Sequence, residues 1–148
     1  MSRVAFDTNV HIYAEMEPTA AKGIRARQVV LRAARNGVIC AQVLAESLRY
    51  VQRVDPARLG RALAFVDDYL KHFAAPPTTV DVPASSGEIV RAHGLLSFDA
   101  IIVVASAGAG ATVLLSEDMQ DGRAIGGLRI LNPFAPENAA AVDALFPA

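Results

Sequence analysis

Apolar and polar positions along the chain alternate between two kinds of run. Val4-Ala5-Phe6 and Val38-Ile39-Cys40 are short and unbroken, the second following the turn pair Asn36-Gly37, and both read as strands. The sequence between them, roughly Thr19 to Asn36, is helical in pattern. A second helical stretch runs from about Gln42 to Val54 and closes at Asp55-Pro56, where proline can open the next helix. That helix carries Leu59, Leu63, Val66, Leu70 and Phe73 on one stripe, the spacing of a buried face. After the break at Ala75-Pro76-Pro77, alternation over Thr78 to Val82 predicts a short strand, and Ser85 to His93 a helix ended by Gly94. Ile101-Ile102-Val103-Val104 suits a strand by β-branching, but the run continues through Ala105-Ser106-Ala107-Gly108-Ala109 and predicts a tightly packed helix. Thr112 to Ser116 and Leu128 to Leu131 read as buried strands, the second stopped by Asn132-Pro133, and Glu137 to Phe146 as a last helix.

Strands separated by helices require crossover connections, so this order predicts an α/β fold: a mainly parallel sheet covered by helices on both faces. At 148 residues one core is expected, hence a single domain over 1–148. With 53% hydrophobic and 20% charged residues and a mean hydropathy of +0.31, the chain has the apolar surface to fold. No N-terminal segment pairs a basic start with a long apolar stretch, and no window is apolar enough to span a membrane, so a cytoplasmic protein is expected. Cys40 lies in an apolar run and reads as a buried thiol; one cysteine allows neither a disulfide framework nor a Cys-rich zinc site. A net charge of −1 gives no bulk basic footprint for nucleic acid. The cations are nonetheless mostly arginine, whose planar fork suits phosphate, so a local basic rim is compatible with near-neutrality.

Chemistry enters with four acids. Ligands of an open parallel sheet bind outside the carboxyl ends of its strands. Asp7 directly follows the first strand, Glu46 falls in the first turns of the helix after the second, Asp99 opens the helix that feeds the strand at 112–116, and Asp118 lies two residues beyond that strand. Each has a duller reading. Asp7 and Asp99 could be helix caps, Glu46 a solvated partner of Arg49 and Arg53, and Asp118 part of a polar turn. Together they would mass negative charge at one sheet edge, which a protein tolerates mainly when a divalent cation neutralises it or some carboxyls are protonated. His11, His72 and His93 have no spacing that makes a zinc site, and there is no Gly-rich phosphate loop, so Mg²⁺ or Mn²⁺ fits best. Arg49, Arg53 and Arg123 are candidates for backbone phosphate contacts, weighed against ordinary surface charge; Tyr13, Tyr50 and Phe98 could stack on bases, though packing is the expected role.

Val4-Ala5-Phe6-Asp7-Thr8-Asn9-Val10 resembles the opening strand and Asp-Thr-Asn of PIN domains, and Glu46 in Val43-Leu44-Ala45-Glu46-Ser47 resembles their helical Glu. Ser97-Phe98-Asp99-Ala100-Ile101-Ile102 looks like the third acidic segment. Leu114 to Gly122 is similar to the fourth, in the form found among VapC-like toxins of toxin–antitoxin pairs. The ordered set covers nearly the whole chain. The resemblance implies an α/β/α sandwich, Mg²⁺- or Mn²⁺-dependent endonucleolytic cleavage of RNA, a homodimer and a cognate antitoxin. Carried over by position, Asp7, Glu46, Asp99 and Asp118 form the acidic quartet, and Asn9 and Ser116 orient acids or water. One departure is Gln120, where many relatives have a further Asp; the acids nearby are Glu117 and Asp121.

Two rival readings stand beside this one. In a haloacid-dehalogenase-like phosphatase Asp7 would be a nucleophile, but that chemistry usually wants a second Asp where Asn9 stands and a late basic residue, and both lysines precede residue 72. A PIN scaffold kept only as a binding module is the non-enzymatic alternative.

Overall fold

A computed structural model describes residues 2–146. Five strands and seven helices follow in the order β1 (Arg3–Phe6), α1 (Thr8–Met16), α2 (Ala21–Arg32), β2 (Gly37–Val38), α3 (Ala41–Val54), α4 (Leu59–His72), α5 (Asp81–His93), α6 (Ser97–Gly108), β3 (Ala111–Leu115), β4 (Ala124–Ile125), β5 (Leu128–Leu131) and α7 (Ala139–Asp143). The sheet runs β2-β1-β3-β5-β4 and is parallel except for the β4–β5 pair. Strand residues are buried in succession rather than alternately: Val4, Ala5 and Phe6, then Val113, Leu114 and Leu115. Both sheet faces are therefore covered, as in a three-layer α/β/α sandwich.

The register decides what meets what at the carboxyl edge. Phe6 pairs with Leu115, and Leu115 with Leu131. One residue further on, the amide of Asp7 donates to Leu115 O at 2.9 Å, and that of Ser116 to Leu131 O at 3.0 Å. The chain leaves β1 for β2 on one side and returns to β3 on the other, so the gap above β1 and β3 is the topological switch point where α/β proteins form their sites. Beneath it Phe6, Ile102, Leu114, Leu115 and Ile130 are fully buried. Each such side chain contributes about 1.5–3 kcal/mol by leaving water.

The structure departs from the sequence pattern in several places. Thr78 to Val82 is not a strand: it is irregular chain entering α5, with Val80 87% exposed, and only an isolated bridge from Ala74 to Val38 approaches the sheet. The stripe Leu59, Leu63, Val66, Leu70, Phe73 is not the buried face of α4. Leu63 and Leu70 are about half exposed and Ala62 and Tyr69 turn inward in their place; of the stripe only Phe73, just past the helix, is buried. Tyr50 and Phe98 are exposed rather than packed. The second strand is shorter than expected, with Ile39 and Cys40 buried beyond its end, and a separate helix, α1, begins directly after Asp7. The short strand β4 adds a hairpin whose loop, Gly126-Gly127, takes positive φ at both residues (56° and 85°). No single helix among the described residues is long and apolar enough to cross a membrane.

Candidate functional site

Asp7 caps α1 in an extended conformation (φ −75°, ψ 161°) and is 4% exposed. Both of its oxygens are held. Oδ1 accepts from Thr8 N at 2.7 Å and Oδ2 from Ser116 Oγ at 2.7 Å. The cap and the functional reading of this residue are thus compatible, since one oxygen closes the helix while the other faces β3. Ser116 Oγ in turn accepts from the amides of Asp118 (3.2 Å) and Met119 (3.1 Å), so one hydroxyl ties Asp7 to the loop that carries Asp118. Asn9 Nδ2 donates to Asp118 Oδ2 at 2.9 Å.

Glu46 reaches the same edge from α3. Thr8 Oγ1 donates to its Oε2 and Gln42 Nε2 to its Oε1, both at 2.8 Å. Neither Thr8 nor Gln42 was singled out from the sequence; Thr8, inside the Asp-Thr-Asn triplet, carried a positional signal, and Gln42, four residues before Glu46, a helical one. Asp99 comes from the first turn of α6. Burial pushes the Asp7 carboxyl up to about 6, helped by the negative charges of Asp99 and Glu46 and opposed by the Ser116 and Thr8 hydrogen bonds. Asp99 is also raised, by partial burial and then by Glu46 and Asp118. Asp7 thus feels Asp99 and Glu46, and Asp99 feels Glu46 and Asp118, although the four acids arise from four elements.

The other candidates separate cleanly. Arg49 and Arg53 line a cleft of about 530 Å³ together with Thr8, Glu46 and Asp99, and neither enters an ion pair among the described residues. Arg123 does not line that cleft and is tied to the side chain of Gln120. Glu117 points away, accepting from Tyr13 Oη at 2.7 Å and pairing with Lys22. Asp121 is occupied with structure, accepting from Asn132 N at 2.8 Å and Asn138 Nδ2 at 2.9 Å. Of the three acids in this loop, only Asp118 turns toward Asn9 and Asp99.

Among the described residues no three His, Cys, Asp or Glu side chains close into a ready-made metal cage. The donor set nevertheless suits a hard divalent cation. It is all oxygen, two of its carboxyls, Asp7 and Asp99, are raised by burial and by neighbouring acids, and Asn9 Oδ1 is buried there without a hydrogen-bond partner. Mg²⁺ keeps several waters and needs only one or two direct carboxylates, so an open arrangement fits it better than a closed one.

A strand-end aspartate at a switch point, joined through a serine to a second acid and facing two more, makes an acidic site at the sheet edge of an α/β/α scaffold. The sequence pattern of the PIN domain matches residues 4–121, and the chain belongs to that family. No curated protein matches it. Among solved structures, it resembles VapC20 of Mycobacterium tuberculosis, described as a sarcin–ricin loop cleaving toxin, with a TM-score of 0.65 at 16% identity over 78% of this chain and 91% of that one. It also resembles the DNA-bound VapBC of Salmonella typhimurium (TM-score 0.65, 18% identity, 90% of this chain and 99% of that one). A toxin–antitoxin complex from Klebsiella pneumoniae is similar too (TM-score 0.65, 18% identity, 88% and 98%). At such identities the likeness is one of fold.

Proposed function

We propose that this PIN-domain protein is a divalent-metal-dependent endoribonuclease and the toxin of a toxin–antitoxin pair. The observation that carries the activity is the acidic edge: Asp7, Glu46, Asp99 and Asp118 gather at one end of the sheet, Glu46 and Asp99 lining the cleft, with the Asp7 and Asp99 pKa values raised, beside an orphaned buried amide oxygen. The toxin assignment draws on the solved toxins and toxin–antitoxin complexes that share the fold.

Asp7 and Asp99 would hold Mg²⁺ or Mn²⁺, with Glu46 and Asp118 as the further carboxylates available to it. When bound, the cation supplies Lewis acidity that lowers the pKa of the attacking water and offsets charge gathering on the phosphoryl oxygens. Glu46 or Asp118 accepts the water proton. Ser116 and Asn9 fix the directions of Asp7 and Asp118. Arg49 and Arg53, unpaired at the cleft, hold backbone phosphate; Arg123, outside it, is left with at most a peripheral contact. The products carry a 5′-phosphate and a 3′-hydroxyl. The partners are RNA, a cognate antitoxin and a second copy of the chain, for which the exposed Leu63 and Leu70 of α4 offer apolar surface. The place of action is the cytoplasm, and residues 1–148 act as one domain.

The test is incubation of the purified chain with structured and single-stranded RNAs across Mg²⁺ and Mn²⁺ concentrations, beside Asp7→Asn and an EDTA control. Metal-dependent cleavage lost in the variant supports the proposal. Products ending in 2′,3′-cyclic phosphate would sink the mechanism, and well-folded protein that binds no divalent cation by calorimetry would favour an inactive binding module. Nothing in the structure favours the phosphatase: both Asp7 oxygens are engaged in hydrogen bonds, and Asn9 serves Asp118.

A further inference from the structure

The cleft beside the acids is not lined as an ion site alone. Its walls include Ile12, Tyr50, Leu96 and Phe98, and three of these are apolar side chains held out in water: Leu96 is 75%, Phe98 55% and Tyr50 36% exposed. Neither Phe98 nor Tyr50 stacks on another aromatic ring, and neither belongs to the packed core or its fringe. Phe98 directly precedes Asp99 in the first turn of α6. Across the cleft, α3 presents Glu46, Arg49, Tyr50 and Arg53 over two turns, with the cations free of carboxylate partners. Arg25, Arg32, Arg58 and Arg91, by contrast, each face an Asp or Glu, and what sets Arg49 and Arg53 apart from the other unpaired arginines is that they line the cleft beside exposed rings.

Exposed aromatic faces flanked by unpaired guanidinium groups are what a single nucleic-acid strand requires: rings for its bases and cations for its phosphates. We infer that the cleft between α3 and α6 is the binding site for one unstacked nucleobase next to the scissile phosphate, with Phe98 and Tyr50 as its stacking surfaces and Arg49 and Arg53 on the flanking phosphates. The volume of about 530 Å³ lies within the roughly 300–1,000 Å³ of small-ligand pockets, enough for one nucleotide. A base in a duplex stays inside its stack and cannot lie on Phe98, so the site selects unpaired RNA, in loops or single strands. This rests on the ribonuclease reading above and adds to it which residues choose the substrate.

The test reads binding apart from cleavage. Random-sequence RNA heptamers with a central 2-aminopurine, single-stranded or annealed to complement, are titrated in Mg²⁺ with the full chain carrying Asp7→Asn, and anisotropy and 2-aminopurine fluorescence are followed. The single strand is expected to bind at least about 10-fold more tightly than the duplex and to change its fluorescence. Phe98→Ala should weaken binding about 10-fold or more and erase that change, Phe98→Trp should restore both, and Arg49→Ala or Arg53→Ala should each flatten the salt dependence by about 0.7 in log–log slope. Phe98 is more than half exposed, so its loss leaves the core intact. Equal binding of duplex and single strand, or an unchanged Phe98→Ala, overturns the inference even if wild type cleaves RNA. Stacking that depends on Phe98 in a protein that never cleaves overturns the ribonuclease reading and leaves the site standing.

Discussion

Ser116 does more per atom than any other side chain at the edge. Its single hydroxyl donates to Asp7 and receives the amides of Asp118 and Met119, so deleting it frees one oxygen of a buried carboxylate and unpins the loop of another. Groups that orient ligands in this way typically matter 10- to 100-fold. Ser116→Ala should therefore lower Mn²⁺ affinity by about that factor in a calorimetric titration, with cleavage falling in parallel and the circular dichroism spectrum unchanged. A second buried acid lies outside the cleft. Glu15, 6% exposed, borders the cavity of about 380 Å³ formed with residues of α2 and α4, and burial pushes its carboxyl up to about 7 against the opposing pull of Tyr69 and Arg61. A raised folded pKa means the native state holds its proton where the unfolded chain has released it. The stabilisation is complete below about 4.5 and is lost as pH rises through about 7. Glu15→Gln, neutral throughout, should leave stability at pH 4 nearly unchanged and raise it by up to about 3 kcal/mol at pH 8, as urea unfolding at the two pH values would show. An equal effect at both would contradict it.

At the scale of elements, α1 and α2 form the closest helix pair near the site, and one residue permits it. A Cβ at Gly23 would lie 1.6 Å from the carbonyl oxygen of Glu17, which is backbone and has no rotamer to escape into. Gly23→Ala should cost about 3 kcal/mol or more and lower Tm by roughly 6–12 °C in a thermal melt, whereas Gly60→Ala, where nothing lies within 4 Å, should be neutral or mildly stabilising. The same scale explains what the sequence could show. Val4 to Phe6, 128 to 131 and the helix through Ile101 to Gly108 are legible because burial on all sides leaves long apolar runs, and Gly94 marks the end of α5 with a φ of 66°. Periodicity places Leu63 and Leu70 on one face of α4 but does not say which face the rest of the chain covers; Tyr69 reaches inward over His11 instead, and Phe73 is the one stripe member that joins it. Thr78 to Val82 alternates like a strand yet has no neighbour to pair with. Two-residue strands such as β4 have no period to read. At the site, the positions of the four acids and the Gln42–Glu46 contact, four residues along one helix, could be read locally, while the bond of Thr8 to Glu46, 38 residues away, and the placing of exposed Phe98 across from α3 could not.

Considered whole, the molecule keeps negative charge where folding would disperse it. Burial raises both Asp7 and Asp99, and so do neighbouring charges, Asp99 and Glu46 for the first, Glu46 and Asp118 for the second, so at neutral pH the edge opposes its own assembly. A cation bound there reverses that sign. Mg²⁺ or Mn²⁺ at 100 times its dissociation constant should add about 2.7 kcal/mol and raise Tm by several degrees. Asp7→Asn should melt above wild type in EDTA and gain little from the ion; a wild type whose melting ignores both metals would remove the site. The four acids also lie far apart along the chain, at positions 7, 46, 99 and 118 of 148, and meet only where β1 and β3 run side by side. The edge therefore exists only once β3, at residues 111–115, has docked beside β1, so on the reading proposed above a truncated chain that ends before β3 carries the first three acids without the edge that joins them.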